Sequence, residues 1–268
     1  MKIKLPILLL LIFVFSGCSE YQKVLKSSDI NLKYDKAIEY YGEEEYYKAY
    51  PLFEELIAIY RGTEKAENLM FMYAYSDYYL KDYILAAHRF SQFVKTFPVS
   101  EKAEECQFMI GICNYKNSPK ASLDQSNTIL AINELQLFTN LYPSSNYVDS
   151  CNVIIDELLN KLAKKRFEKA NLYLQTGNYK ASIIAYNNFL DDFPDTEYRE
   201  ESEFLVFKST YFLALNSIES KKNERIDNAI KAYITFVDSF SGSKYLRKAE
   251  DYYQELLLEK QKQEEKNS

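Results

Sequence analysis

The sequence predicts an all-α protein, a solenoid of about five helix–turn–helix repeats. Three observations predict it. Breakers are scarce, with six glycines and six prolines in 268 residues. Long amphipathic runs dominate, with apolar residues at steps of three and four, the spacing that gathers one helix face. Five short segments, "IYRGTEK", "TFPVSEK", "LYPSSNY", "DFPDTEY" and "SFSGSKY", bring the surrounding pattern back in register.

Met1 to Gly17 reads as an export signal. Lys2 and Lys4 give a short positive start, Leu5 to Phe15 is apolar throughout, and Ser16 and Gly17 are small, the three regions of a secretory leader. About eleven apolar residues are too few to cross ~30 Å of hydrocarbon as a helix. Cys18 follows the small pair directly. The stretch "FSGC" resembles the lipobox of bacterial lipoproteins, with Phe15 where leucine is usual. That resemblance implies lipid attachment at Cys18: the thiol takes a diacylglycerol, the leader is cleaved, and the new amino terminus is acylated. Two or three acyl chains hold firmly at ~0.8 kcal/mol per buried methylene, where one is marginal. Ser19 stands where aspartate marks inner-membrane retention in many diderm bacteria, which argues for the outer membrane, and no clear acidic export cluster follows Cys18 ("SEYQ" only), which favours its periplasmic face.

Without those 17 residues the chain keeps 251, enough for a large core or an extended array. The formal charge is −6, and −8 once the two leader lysines are gone. No basic stripe stands out, so nucleic acid is not the expected partner. Aromatic residues make up 16 %, with 25 tyrosines and no tryptophan. The other cysteines, Cys106, Cys113 and Cys151, are odd in number, against a disulfide framework. Cys106 and Cys113 share a helix face but lie ~10 Å apart along it, too far to bridge. The expectation is small buried apolar side chains, with pairing of Cys151 across neighbouring helices left open.

The repeats align on Arg61, Pro98, Pro143, Pro194 and Ser241. One residue earlier stand Tyr60, Phe97, Tyr142, Phe193 and Phe240; five earlier, Leu56, Phe93, Phe138, Phe189 and Phe236. Eight earlier stand Phe53, Phe90, Leu135, Tyr186 and Tyr233; twelve earlier, Ala49, Ala86, Ala131, Ser182 and Ala229. Steps of four, three and four make one helix face. The small residue admits a neighbouring helix, and the aromatics fill the space beyond. Proline biases the residue before it to extended backbone and stops the helix. Two residues later come Thr63, Ser100, Ser145, Thr196 and Ser243, expected to cap the next helix, with Glu64, Glu101 and Glu197 placed for its first turn.

A second helix lies upstream, marked by Tyr46, Tyr83 and Tyr179 at its end of the turn and by Ala37, Ala74 and Ala170 before it. The unit has the small and aromatic positions of a tetratricopeptide repeat. "YLQTGNYKASIIAYNNFLDDFP" is the cleanest copy: Gly177 ends one helix and Asn178–Tyr179 open the next. The first helix lacks the family's tryptophan.

Anchors fall 37, 45, 51 and 47 residues apart, above the ~34 of a regular array. Two polar stretches, "YKNSPKASLDQSN" and "NSIESKKNERID", are expected as long loops in copies three and five. The third excess, Ser145 to Gln175, has no proline or glycine and reads as one helix of about thirty residues, ~45 Å long. The organisation predicted is a signal over 1–17, a tether over 18–31, an N-terminal repeat group over 32–144, a C-terminal group over 145–258 entered by the long helix, and a charged, frayed tail over 259–268. Stacked units bury one continuous core and leave a concave surface lined by first helices.

No phosphate loop, paired-cysteine metal spacing or nucleophile elbow is present. His88 is the only histidine, expected at the surface or partly buried, so neither catalysis, cofactor nor metal is expected. A lipobox followed by five such repeats, with the opening "CSEYQKVLKSSD", resembles the BamD family of outer-membrane β-barrel assembly lipoproteins, in the form found in Bacteroidota. The resemblance spans Cys18 to about Lys260. It implies a scaffold of the barrel assembly complex. The N-terminal repeats would bind C-terminal segments of unfolded outer-membrane proteins, and the C-terminal ones would dock the POTRA region of BamA beside the other BAM subunits.

By repeat position the first helices aim Tyr34, Tyr41, Phe71, Tyr75 and Tyr78 at a peptide groove. Tyrosine offers an apolar face and a hydroxyl with little entropy to lose, which suits an extended, aromatic-ended strand. The alternative for these rings is packing between helices. The rival function is a general periplasmic adaptor lipoprotein, pilotin-like or a peptidoglycan-enzyme scaffold. A sugar-capture lipoprotein fits poorly with no tryptophan and short loops.

Overall fold

The computed structural model describes residues 20–267, the last without its side chain. Cys18 and the leader lie outside the described residues. Among those described there is no strand. After a short helix over 20–26, eleven helices follow: α1 (Ile30–Gly42), α2 (Tyr46–Ile59), α3 (Glu64–Tyr79), α4 (Tyr83–Thr96), α5 (Ala103–Asn117), α6 (Ser126–Leu141), α7 (Val148–Gln175), α8 (Tyr179–Asp192), α9 (Arg199–Leu215), α10 (Glu219–Ser239) and α11 (Leu246–Asn267). The segment without breakers is therefore a single 28-residue helix, α7.

The chain divides into two compact units. The first takes residues up to Pro119 and Asp124–Asp156; the second takes Lys120–Leu123 and residues from Glu157 on. In the first unit each of α1 to α5 packs on the next; in the second, α9 packs against α8, α10 and α11. The repeat columns are the core. Ala49, Ala86, Ala131, Ser182 and Ala229 are all 0 % exposed, and Leu56, Phe93, Phe138, Phe189 and Phe236 reach at most 1 %. Ala37, Ala74 and Ala170 of the first helices are also sealed. The small side chains sit where helices approach closest, and burying the aromatic rings supplies most of the driving force.

The turn inside each regular repeat has one geometry. Glu44, Lys81 and Gly177 occupy the same register with φ of 61°, 65° and 75°. The next amide donates back five residues, Glu45 to Tyr40, Asp82 to Asp77 and Asn178 to Tyr173, at 2.8 to 2.9 Å. The residue itself donates back three, at 3.0 to 3.1 Å. This paired closure satisfies the helix's last carbonyls and demands a left-handed residue.

Three expectations change. The Ser/Thr after the anchor does not cap the next helix with its side chain: even Thr63, at the N-cap of α3, turns its hydroxyl back to the Tyr60 carbonyl at 2.7 Å. Ser100, Ser145, Thr196 and Ser243 instead accept the amide two residues on, at 3.0, 3.1, 3.3 and 3.0 Å, a local turn ahead of helices that start later. The stretch 216–227 is not a loop, since α10 begins at Glu219. The tail is not frayed, since α11 runs to Asn267. The last two have one cause. Lys222 pairs with Glu259 at 2.5 Å, Lys260 with Asp227 at 2.8 Å and Lys266 with Glu219 at 3.2 Å, tying the start of α10 to the end of α11. Glu, Lys and Arg are good helix formers, and without glycine or proline nothing stops the helix. The polar stretch of copy three does stay open between Asn117 and Ser126, where Pro119 intervenes.

Candidate peptide-binding surface of the first unit

The five groove residues, four tyrosines and a phenylalanine, all lie in the first unit, and each is half-buried. Tyr34 meets Tyr60 edge-on at 5.7 Å, with the Lys65 ammonium 4.3 Å over its ring. Tyr41 packs on Tyr46 at 5.6 Å and Phe53 at 6.0 Å. Tyr75 is the hub of the rest, with Phe71 at 4.8 Å, Tyr78 at 6.3 Å, Tyr79 at 5.7 Å and Phe90 at 5.0 Å. Its hydroxyl donates to Glu105 of α5. Burial first, then that bond, holds the hydroxyl protonated far above the ordinary tyrosine range; burial does the same for Tyr41. Tyr46 and Tyr79 stack at 4.7 Å and join the two groups. Phe71, Tyr75 and Tyr78 are thus brought together, Tyr41 is reached through Tyr46 and Tyr79, and Tyr34 stands apart with Tyr60.

A second feature has no counterpart among those residues. Between α2 and α4, over α3, lies a cavity of about 520 Å³ lined by Ile57, Met70, Tyr73 and Phe97, with Arg61, Lys95, Arg89 and Glu54 around them. Among the described residues, Arg61 and Lys95 make no ion pair. Arg89 is committed. Its Nε donates to Asp77, its Nη2 donates to the hydroxyls of Tyr50 and Tyr73, each at 2.9 Å, and its guanidinium lies 3.7 Å over the Tyr73 ring. Burial pushes the Asp77 carboxyl up, against the pull of Arg89.

The second unit repeats this cavity in the same register, at about 780 Å³. Where the first has Arg61, Met70, Tyr73 and Arg89, the second has Pro194, Glu203, Val206 and Ala232. Asp191 replaces Ala58. Arg199 is neutralised by Glu203 at 3.3 Å and donates to the Pro194 carbonyl at 2.9 Å. One cavity is therefore apolar and cationic, the other acidic. The sequence carried the signal in its departures: Arg61 breaks a column of prolines, and Arg89 sits where the second unit has Ala185 and Ala232.

Cys106, Cys113 and Cys151 are buried and free. Burial pushes their thiols up to about 12, 12 and 11, so they behave as core side chains. His88 is exposed on α4. Among the described residues no group of three or more His, Cys, Asp or Glu is placed to hold a metal, and no helix is long and apolar enough to cross a membrane.

Helix pairs stacked on buried columns of small and aromatic residues define a tetratricopeptide-type repeat protein. Its lineage is more specific. Residues 27–226 match the family described as YfiO, outer membrane lipoprotein, and the chain belongs to that BamD-like family. Among solved structures, the P58(IPK) TPR domain is 14 % identical with a TM-score of 0.41, covering 87 % of this chain and 67 % of its own. The apo form of RapI is 15 % identical with a TM-score of 0.35, covering 94 % and 93 %. No curated protein matches the chain.

Proposed function

We propose that this outer-membrane lipoprotein is a scaffold of the β-barrel assembly machinery, holding unfolded outer-membrane proteins by their C-terminal segments and docking BamA through its second unit. It transforms no substrate and needs no cofactor. Acyl chains on Cys18 hold it at the periplasmic face. The observation that supports this most is the cavity of the first unit. An extended chain that ends in an aromatic residue offers a ring for the floor of Ile57, Met70 and Tyr73 and a terminal carboxylate for Arg61 and Lys95. A charge-assisted bond to carboxylate is stronger than a neutral one. The half-buried rings of Tyr34, Tyr41, Phe71, Tyr75 and Tyr78 add surface for the strand upstream. The acidic cavity of the second unit favours a different, basic partner surface, as expected if the two units divide substrate and machine between them.

Affinity purification of the tagged protein from membranes, with identification of the bound barrel, tests the proposal. Recovery of BamA supports it. Recovery of a secretin, or of a peptidoglycan hydrolase without BamA, replaces it with the general adaptor.

A further inference from the structure

We infer that the edge of the first unit formed by the starts of α2, α4 and α6 rests on a zwitterionic lipid surface. Fourteen and thirteen residues before each anchor, this edge exposes Tyr47 (80 %), Ile84 (70 %) and Leu85 (40 %), and Ile129 (50 %) and Leu130 (47 %). The same register in the second unit holds Lys180 and Ala181, then Asp227 and Asn228. The repeat therefore folds without apolar residues here, and their presence in three consecutive copies has to be explained by something outside the fold.

The edge is continuous from the end of α1 to the start of α4. Ring contacts run from Tyr41 to Tyr46 (5.6 Å), Tyr46 to Tyr79 (4.7 Å), Tyr79 to Tyr78 (5.7 Å) and Tyr78 to Tyr83 (5.5 Å). They join the end of α1, the start of α2, the end of α3 and the start of α4. The Thr128 hydroxyl lies 2.6 Å from that of Ser118, holding the start of α6 to the end of α5. Tyrosine, with an apolar ring and a wet hydroxyl, is a natural interfacial residue.

The chain itself names the occupant. The helix over 20–26 packs Tyr21 on Tyr40 at 5.9 Å, near the end of α1, and the Lys48 charge at the start of α2 acts on Tyr21. The described chain therefore begins on this edge. Cys18 is two residues before Glu20, a reach of at most about 7 Å. Acyl chains there enter a bilayer beside the apolar row, so the inference rests on the lipid-anchor reading. The lipid class follows from charge around the turns before α2 and α4, where Glu43, Glu44, Glu45 and Asp82 outnumber Lys48 and Lys81, which disfavours an anionic surface.

The chain has no tryptophan, so a single introduced one is a clean reporter. The full-length protein, matured in its cells and carrying Ile84→Trp, is mixed with phosphatidylcholine vesicles bearing brominated acyl chains. Val99→Trp is the control, a 97 % exposed position beyond the opposite end of α4, ~20 Å away. Quenching of Ile84→Trp should exceed that of the control roughly twofold or more, and should fall when anionic lipid is added. Equal quenching at the two positions, or none, overturns the edge; undiminished quenching on anionic vesicles overturns the preference for zwitterions. Mass measurement of the N-terminal peptide from the same preparation reports acylation of Cys18 separately. A failed anchor and a failed edge are then told apart.

Discussion

The carboxylate of Asp77, 2 % exposed, accepts the Nε–H of Arg89 twelve residues further on, and the two tie α3 to α4. Removing one member of a buried pair costs more than the pair contributes, because the other charge is left without a partner. Asp77→Ala should therefore lose ~3 kcal/mol of stability, and Arg89→Ala a similar amount. Asp77→Leu combined with Arg89→Met should recover much of the loss. Denaturant midpoints check this; additive single losses in the double variant would show the two groups to be independent.

Lys81 has φ of 65° in a turn where Gly177 has 75° in the equivalent place. A left-handed non-glycine residue costs about 1–2 kcal/mol, and glycine's extra chain entropy returns about 0.5–1 kcal/mol of that. The strain term is larger. Lys81→Gly should raise the melting temperature by a few degrees, and Gly177→Ala should lower it. A fall for Lys81→Gly together with a rise for Gly177→Ala would mean that entropy dominates in this turn.

Gly111 on α5 leaves room for Leu135 of α6: a Cβ added there meets Leu135 Cδ2 at 2.5 Å and Cγ at 2.8 Å. Alanine's helix propensity favours the substitution by about 1 kcal/mol. Overpacking opposes it by about 1–3 kcal/mol, and Leu135 is 0 % exposed, so it has little room to move. Gly111→Ala should be destabilising by ~1 kcal/mol net, and Leu135→Val in the same chain should ease it. Calorimetry on the two singles and the double decides.

Much of the fold was legible because its cause is periodic. Ala49, Ala86, Ala131, Ser182 and Ala229 repeat at a fixed distance from an aromatic column, and all are sealed in the core. The start of α10 was not legible, because its charges look like a solvated loop until Glu259, Lys260 and Lys266 are seen across the gap. Partners distant in sequence leave no local pattern. The same holds for the cavity of the first unit. Arg89 sits on a register that holds Ala185 and Ala232 in the second unit, and only the packing shows that Asp77, Tyr50 and Tyr73 meet it. Lipid attachment at Cys18 rests on sequence alone.

The three buried thiols give a pH dependence whose sign is fixed. Each native value, about 12, 12 and 11, lies above the 9.0 of an exposed cysteine. Between pH 9 and 11 the unfolded chain releases protons that the native one keeps, so stability is full below pH 9 and declines above it. The melting temperature should fall from pH 8.5 to 10.5, and less steeply in Cys106→Ala or Cys113→Ala once each variant's own offset is subtracted. Alkylation at pH 8 should be slow in the native protein and fast after unfolding. Rapid native labelling of any of the three would contradict the burial that raises them.

Binding of a barrel-derived peptide separates the two candidate surfaces of the first unit. Arg61→Glu with Lys95→Glu changes only exposed side chains, so folding should be spared while a free peptide carboxylate loses its attraction. One or two charge-assisted bonds at about 1.5–3 kcal/mol translate to roughly a ten- to hundredfold weaker dissociation constant. An amidated peptide should bind the native protein as weakly as the free acid binds the variant. Tyr78→Ala tests the ring surface. For Tyr75 the informative change is to phenylalanine, because the ring packs 5.0 Å from Phe90 and its loss would disturb the core rather than the surface. If calorimetric titration shows that the charge reversal leaves affinity intact while Tyr78→Ala lowers it, the strand lies on the tyrosines and the cavity serves something else.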